Sequence, residues 1–467
     1  MSLSADKANL GVSLGDIWRL TWPQMLMMYV FFLSGIVSVW AAGQISSQIQ
    51  AAIGLVTQCA MFMMVVIMSI ASGATAAISQ SIGMGKPLRA RLYISTTVLG
   101  SLILGAGMAI PGYLFGEQIL WLIRAPREIM DLASEIWNIS ILGLPLQYVY
   151  YSTGVMFRAT RQVLPPFWVA TLVCVINFIG SLGFGLGWFG LPDFGYRGLI
   201  WTSVATQAVG AVANCLLLWK TGYLQFRVLP DLKWLRLGLP YLLRVALPAG
   251  AASIVWQSGY LTLFVLVASL PRDSVSALAG LTAGLRAEAL LFMPAMAFNM
   301  TCSVMVGNSL GEGKKEQAKR IGLFLTGLAS GIMTAAAICV WPFRADIAAF
   351  LSQDAPTQTQ IVNYLSWNLA TTTFSIASQV MGGIMVGAGA TQYNLMVYGG
   401  TFWAVRLPLG WLLGHKIWGD ASGVFAAMSI SQIIQTSIML CVILCCNWAR
   451  FAMKRNLAKN APSQGGV

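Results

Sequence analysis

Charge is scarce in this chain. Asp, Glu, Lys and Arg make up 9% of its 467 residues, against about 25% in ordinary soluble domains. That scarcity excludes a large soluble all-α protein, which needs far more charge on its surface. Histidine occurs once, as His415, which leaves little for acid–base catalysis. It falls at an expected helix end and reads as an interfacial residue. The eight cysteines lie in apolar segments with no C-x-x-C pair, so neither a disulfide framework nor a metal site is expected. Buried cysteine behaves as a small hydrophobe. No G-x-x-x-x-G-K-[ST] or H-E-x-x-H occurs, which argues against a one-chain ATP-driven pump and against a zinc hydrolase. The expectation is a non-enzyme with no cofactor. The N-terminus, MSLSADKANLGVSLGDIWRL, lacks an apolar stretch followed by a small-residue cleavage site. The first apolar segment is therefore expected to be a membrane span.

What the chain has in abundance is apolar sequence: 57% hydrophobic residues and a mean hydropathy of +0.73. Segments of about 20 apolar residues recur, each long enough to cross a bilayer. Spans are expected at about 20–43, 51–80, 90–115, 133–156, 164–188, 196–219, 242–269, 275–306, 318–342, 358–386, 394–415 and 421–447. The fold class is thus an all-α polytopic membrane protein of twelve transmembrane helices. The net charge of +13 would suggest nucleic acid in a soluble protein. Here the basic residues cluster in alternate loops, such as GKPLRAR, FRATRQ, GKKEQAKR and RFAMKRNLAK, as the positive-inside rule requires. The partner is a lipid bilayer, not nucleic acid. The expected location is the cytoplasmic (inner) membrane, multi-pass, with both termini cytoplasmic.

The sequence also repeats itself. SIGMGKPLRAR (81–91) matches SLGEGKKEQAK (309–319), placing Gly83 and Gly85 on Gly311 and Gly313. TGVMFRATRQ (153–162) matches GGIMVGAGAT (382–391), placing Gly154 on Gly383. Pro23 meets Pro248, Gly198 meets Gly423, and Gln207 meets Gln432. The spacing between partners is nearly constant. The expected organisation is a six-helix half at 15–222, a cytoplasmic amphipathic linker at 223–241, a second six-helix half at 242–447, and a cytoplasmic tail at 448–467 that reads as disordered. An even number of spans per half makes the repeats parallel. In transporters built this way the substrate site lies near the midplane between the halves.

These landmarks resemble the multidrug and toxic compound extrusion (MATE) family of bacterial type. The resemblance rests on LTWPQM…GIVSVWAAGQI for span 1, AISQSIGMGK and VMVGNSLGEGK for the two glycine loops, LRAEALLFMPAMAFNMTCSVMVGNSLG for span 8, GVMFRATRQ for the exit of span 4, and NFIGSLGFGLGWFGLPDFGYRGLIWTSVATQ for spans 5 and 6. It implies a pseudo-symmetric, V-shaped exporter. Such a protein moves an amphiphilic small molecule or drug outward by alternating access, in exchange for H+ or Na+, and the family suggests a monomer. The chain departs from the family where carboxylates commonly sit. Span 1 has Ser38, span 5 has Ser181 four residues after Asn177, span 7 has Trp256 and Gln257, and span 10 has Ser375.

Of the fifteen acidic residues, Glu288 alone falls deep within an expected span. A carboxylate at that depth is costly and marks function by default. Arg286 lies two residues away, but that spacing points the two side chains about 200° apart on a helix. Arg406, in span 11, is the candidate partner for Glu288. Two readings stand side by side: a coupling or substrate group, and a structural ion pair with Arg406. Polar residues within spans tend to face the bundle interior, which adds Gln24, Asn299, Asn368 and Gln379 to Asn177 and Gln257 as cavity candidates. Tyr148, Tyr150 and Tyr151 end span 4. The Met-rich runs MLMMYVFF and MFMMVVIM suit either lipid-facing packing or a promiscuous binding surface. The alternatives to export are a lipid or lipid-linked oligosaccharide flippase and an uncoupled ligand-binding membrane protein.

Overall fold

A computed structural model describes residues 13–122, 126–225 and 230–453. The tail read as disordered beyond 453, the linker residues 226–229 and most of the stretch before the first helix lie outside the described residues. All regular structure among the described residues is helical. The helices are α1 (Leu14–Ile45), α2 (Ser47–Gly83), α3 (Pro87–Leu114), α4 (Gly116–Leu122), α5 (Met130–Leu142), α6 (Leu144–Ala159), α7 (Leu164–Leu186), α8 (Gly195–Lys220), α9 (Leu232–Ala268), α10 (Ser274–Gly311), α11 (Lys315–Val340), α12 (Arg344–Leu351) and α13 (Ala355–Ala388), then a helical run α14 over 391–417, and α15 (Ala421–Cys445).

Ten of these helices are long and apolar enough to cross a membrane. An eleventh span forms if α5 and α6, bent by 50° at Gly143, are taken together. The bend follows from the sequence: Pro145 in the first turn of α6 cannot extend a hydrogen-bond ladder from α5. The expected span at 394–415 falls within α14, where α-helical turns alternate with three π-helical stretches. Hydroxyl side chains enter the apolar helices by bonding to their own backbone one turn back, as Thr75, Ser81, Thr97 and Thr326 do. Acidic residues cap helices at their N-termini: Asp354 accepts from the Thr357 amide and hydroxyl, and Asp420 from the Gly423 amide.

The chain divides into two compact units. One takes Trp22–Ile82 and Lys86–Leu243; the other takes the described residues of Met1–Thr21, Gly83–Gly85 and Arg244–Val467. The first unit has its core around Trp137, Ile136, Ile67 and Tyr148. The Trp137 indole donates to the Gly112 carbonyl at 2.7 Å, and the Tyr148 hydroxyl to the Met63 carbonyl at 2.5 Å. The core of the second unit gathers Leu281, Ile361, Tyr364, Phe402 and Phe425. Its α10 and α13 meet through glycines. A Cβ on Gly383 would lie 2.3 Å from the Asn299 carbonyl oxygen, and one on Gly387 the same distance from that of Ser303. This small-xxx-small spacing brings two backbones together and holds the helices that carry the second unit's polar site.

Candidate functional site

Each unit holds a void lined in part by polar side chains. The void in the second unit is built on α10 and α13. Gly284, one turn before Glu288 on α10, has no side chain, and the Tyr364 ring lies against it: a Cβ there would meet Tyr364 Cδ1 at 2.2 Å. The Tyr364 hydroxyl thereby reaches and donates to Glu288 Oε2. Asn368, one turn along α13, donates from Nδ2 to Tyr364 Oη at 3.3 Å. Phe425 on α15 packs edge-on to the Tyr364 ring, 5.2 Å between centroids. Tyr260, Thr371, Ser429 and Gln432 complete a void of about 10 Å³, room for roughly one water-sized occupant.

Arg406 lies in the same unit, 1% exposed. Its Nε donates to Ser431 Oγ at 2.8 Å. Its guanidinium stacks at 4.5 Å over Phe402 and 5.6 Å over Trp256, and Nη1 has no hydrogen-bond partner. The ion pairs among the described residues are Arg197–Glu135 and Lys314–Glu312. The direct Glu288–Arg406 pair, one of the two sequence readings, is therefore not formed. Tyr260 separates the two groups: its ring packs on Phe402 and Trp256, 5.2 and 5.4 Å away, and also lines the Glu288 void. Glu288 is held by neutral donors, while Arg406 is held by a hydroxyl and aromatic faces.

The void in the first unit is larger, about 390 Å³, within the range of small-molecule pockets. Ser34 and Ser38 reach it from α1, Met64 from α2, Gln147, Tyr150 and Tyr151 from α6, Asn177 from α7, and Ser203, Thr206 and Gln207 from α8. Asn177 organises the wall. It accepts from Ser34 Oγ at 3.3 Å and donates to Ser203 and Thr206 at 3.5 and 3.4 Å. Ser38 bonds back to the Ser34 carbonyl. Among the described residues, no charged side chain lines this cavity.

The structure brings together Ser38 and Asn177 in one cavity and centres the other void on Glu288, with Arg406 beyond Tyr260. Ser181 is buried one turn beyond Asn177 with its hydroxyl unpartnered, off the cavity wall. Ser375 is buried in α13, away from both lining sets. Gln257 and Arg286 are exposed, turned away from either void. Asn299 ties α10 to the Gln379 carbonyl at 2.5 Å, a packing role. The Met-rich runs divide: Met61 and Met68 are exposed and Met64 lines the cavity. Sequence reasoning missed Tyr364, Tyr260, Phe402 and Ser431. One signal was present: Tyr364 and Asn368 stand four apart in NYLSWN, on one helix face.

Comparison with known proteins places this architecture. The MatE family model matches residues 23–182 and 248–412. The probable multidrug resistance protein YoeA of Bacillus subtilis is 23% identical, over 78% of this chain and 80% of its own. Protein DETOXIFICATION 39 of Arabidopsis thaliana is 24% identical over 94% of this chain and 85% of its own. A crystal structure of a variant of the Vibrio cholerae MATE transporter VcmN superposes with a TM-score of 0.87 at 19% identity, covering 94% of this chain and 97% of the other. The family model matches in two blocks, each containing one of the two voids' principal residues, and it spans well over half of the sequence: the chain belongs to the MatE family.

Proposed function

We propose that this protein is a secondary-active exporter. It moves an amphiphilic small molecule out of the cytoplasm by alternating access, in exchange for H+ or Na+, with both termini cytoplasmic in the inner membrane. The observation that carries the reading is the Glu288 site. A carboxylate at membrane depth, held by the Tyr364 hydroxyl and free of a direct ion pair, can gain a proton or a small cation without first breaking a salt bridge. A locked ion pair has no such freedom. The void beside it, about 10 Å³, has room for a desolvated ion or a water and none for an organic substrate. The organic molecule is assigned to the larger cavity of the first unit, so coupling and binding use different halves of the repeat. A lipid-linked oligosaccharide calls for a strongly basic cavity, and no Lys or Arg lines this one.

The test is export from efflux-deficient cells, wild type beside Glu288→Gln at matched expression, at two external pH values with and without sodium. The expected result is protection by wild type and its loss in the variant, with the responsive ion identified by the gradient on which wild type depends. Equal protection by both would remove Glu288 from the mechanism.

A further inference from the structure

We propose that the cavity of the first unit selects uncharged, hydrogen-bonding aromatic molecules and rejects organic cations. The inference rests on the export reading above and adds the charge class of the substrate.

The lining of the cavity carries it. Hydrogen-bonding groups come from Ser38, Gln147, Asn177, Ser203, Thr206 and Gln207, and aromatic surface comes from Phe31, Tyr150 and Tyr151. The polar side chains of Ser38, Gln147, Asn177 and Gln207 give the wall donors and acceptors that a ligand carbonyl, ether or hydroxyl can meet. The charged group that acts on the tyrosines of this wall is a cation. Arg158, 8% exposed at the end of α6, is an electrostatic neighbour of both Tyr150 and Tyr151. Its guanidinium folds back along its own helix to within 3.7 Å of where a Cβ on Gly154 would stand. No carboxylate among the described residues pairs with it.

A cationic guest would give up part of its hydration and find no counter-charge among the lining residues, while the charge acting on Tyr150 and Tyr151 is the like-signed Arg158. An unpaired charge in such a place is strongly disfavoured, and like-charge juxtaposition adds to the penalty. A neutral guest of the same shape meets only dipoles and rings. A single carboxylate added to the wall reverses this balance. Ser38→Asp supplies one from α1, and Asn177→Asp supplies one without change of volume.

The experiment uses the full-length protein in efflux-deficient cells and pairs of aromatic probes of matched size, each pair one neutral and one permanently cationic. Wild type is expected to export the neutral member at least about tenfold better. Ser38→Asp or Asn177→Asp, confirmed in the membrane by quantitative blotting, is expected to narrow or invert that ratio. If wild type exports the cationic members as well as the neutral ones, the export reading stands and charge selection is overturned. Charge selection is overturned too if both variants reach the membrane, export probes, and leave the ratio unchanged. If wild type exports no probe of either charge, the export reading itself fails and takes this proposal with it.

Discussion

Tyr364 and Arg406 hold the Glu288 site in different ways, and substitution separates their roles. Tyr364→Phe keeps the ring against Gly284 and Phe425 and removes only the donor to Glu288. A hydrogen bond to a charged group contributes about 1.5–3 kcal/mol. The expected outcome is export slowed by roughly tenfold or more at unchanged protein level, read as initial efflux rate. Arg406 touches no carboxylate, yet it is an electrostatic neighbour of Glu288 across Tyr260. A double-mutant cycle is the proper measure of such a link. Neutralising either group alone leaves the other without that opposite charge across Tyr260. Glu288→Gln with Arg406→Gln is therefore expected to cost less thermal stability in detergent than the two single losses combined, by about 0.5–3 kcal/mol. Strict additivity would mean that the two groups do not sense each other.

At the scale of helices, the α10–α13 contact decides the geometry of the site. A methyl on Gly284 would overlap the Tyr364 ring, with Cδ1 at 2.2 Å and Cε1 at 2.8 Å. The ring must then move, and its hydroxyl with it. Gly284→Ala is expected to lower stability by about 1–3 kcal/mol, as overpacking does, and to impair export as Tyr364→Phe does. Gly331 on α11 faces open space, so Gly331→Ala is the control. It should be neutral or stabilising by up to about 1 kcal/mol. Thermal unfolding of the purified variants separates the cases. The same contact explains what sequence could and could not convey. The apolar runs, the glycine loops and the place of Glu288 inside a long apolar helix were legible because each follows from local composition. The α5–α6 break was signalled by Gly143 and Pro145, yet hydropathy runs straight across it. The π-helical turns of α14 and the partner of Glu288 were not legible. Both depend on which faces of α10, α13 and α14 meet, and a residue such as Tyr364, with no charge and a common apolar role, gives no local sign of its contact. Of the two readings of Glu288, the direct Arg406 pair is not formed, and Tyr260 packs beside both groups.

Across the whole molecule, one repeat supports two chemistries. The spacing that aligns Pro23 with Pro248 also aligns Gly35 with Tyr260, Ser203 with Met428 and Gln207 with Gln432. All six line a void, the first of each pair in one unit and the second in the other. The voids thus occupy equivalent places in the duplicated scaffold, and their contents have diverged: uncharged and roomy in the first unit, acidic and small in the second. The orientation of that scaffold rests on where basic residues gather. In the second unit, Lys319 near the start of α11 donates to the Leu444 carbonyl at the end of α15, so the basic stretch after α10 and the end of α15 share one side. His415 of α14 meets Ser269 near the end of α9 at 3.1 Å, and Asp354 and Asp420 cap helices that start between spans. The positive-inside rule assigns the Lys319 side to the cytoplasm. Cys445 and Cys446 are exposed at that end of α15. A membrane-impermeant maleimide is therefore expected to label them in inverted vesicles and to leave them untouched in intact cells, with a Cys445→Ser, Cys446→Ser variant as the reference for background. Labelling from outside intact cells would invert the topology, and with it the direction in which the proposed exporter works.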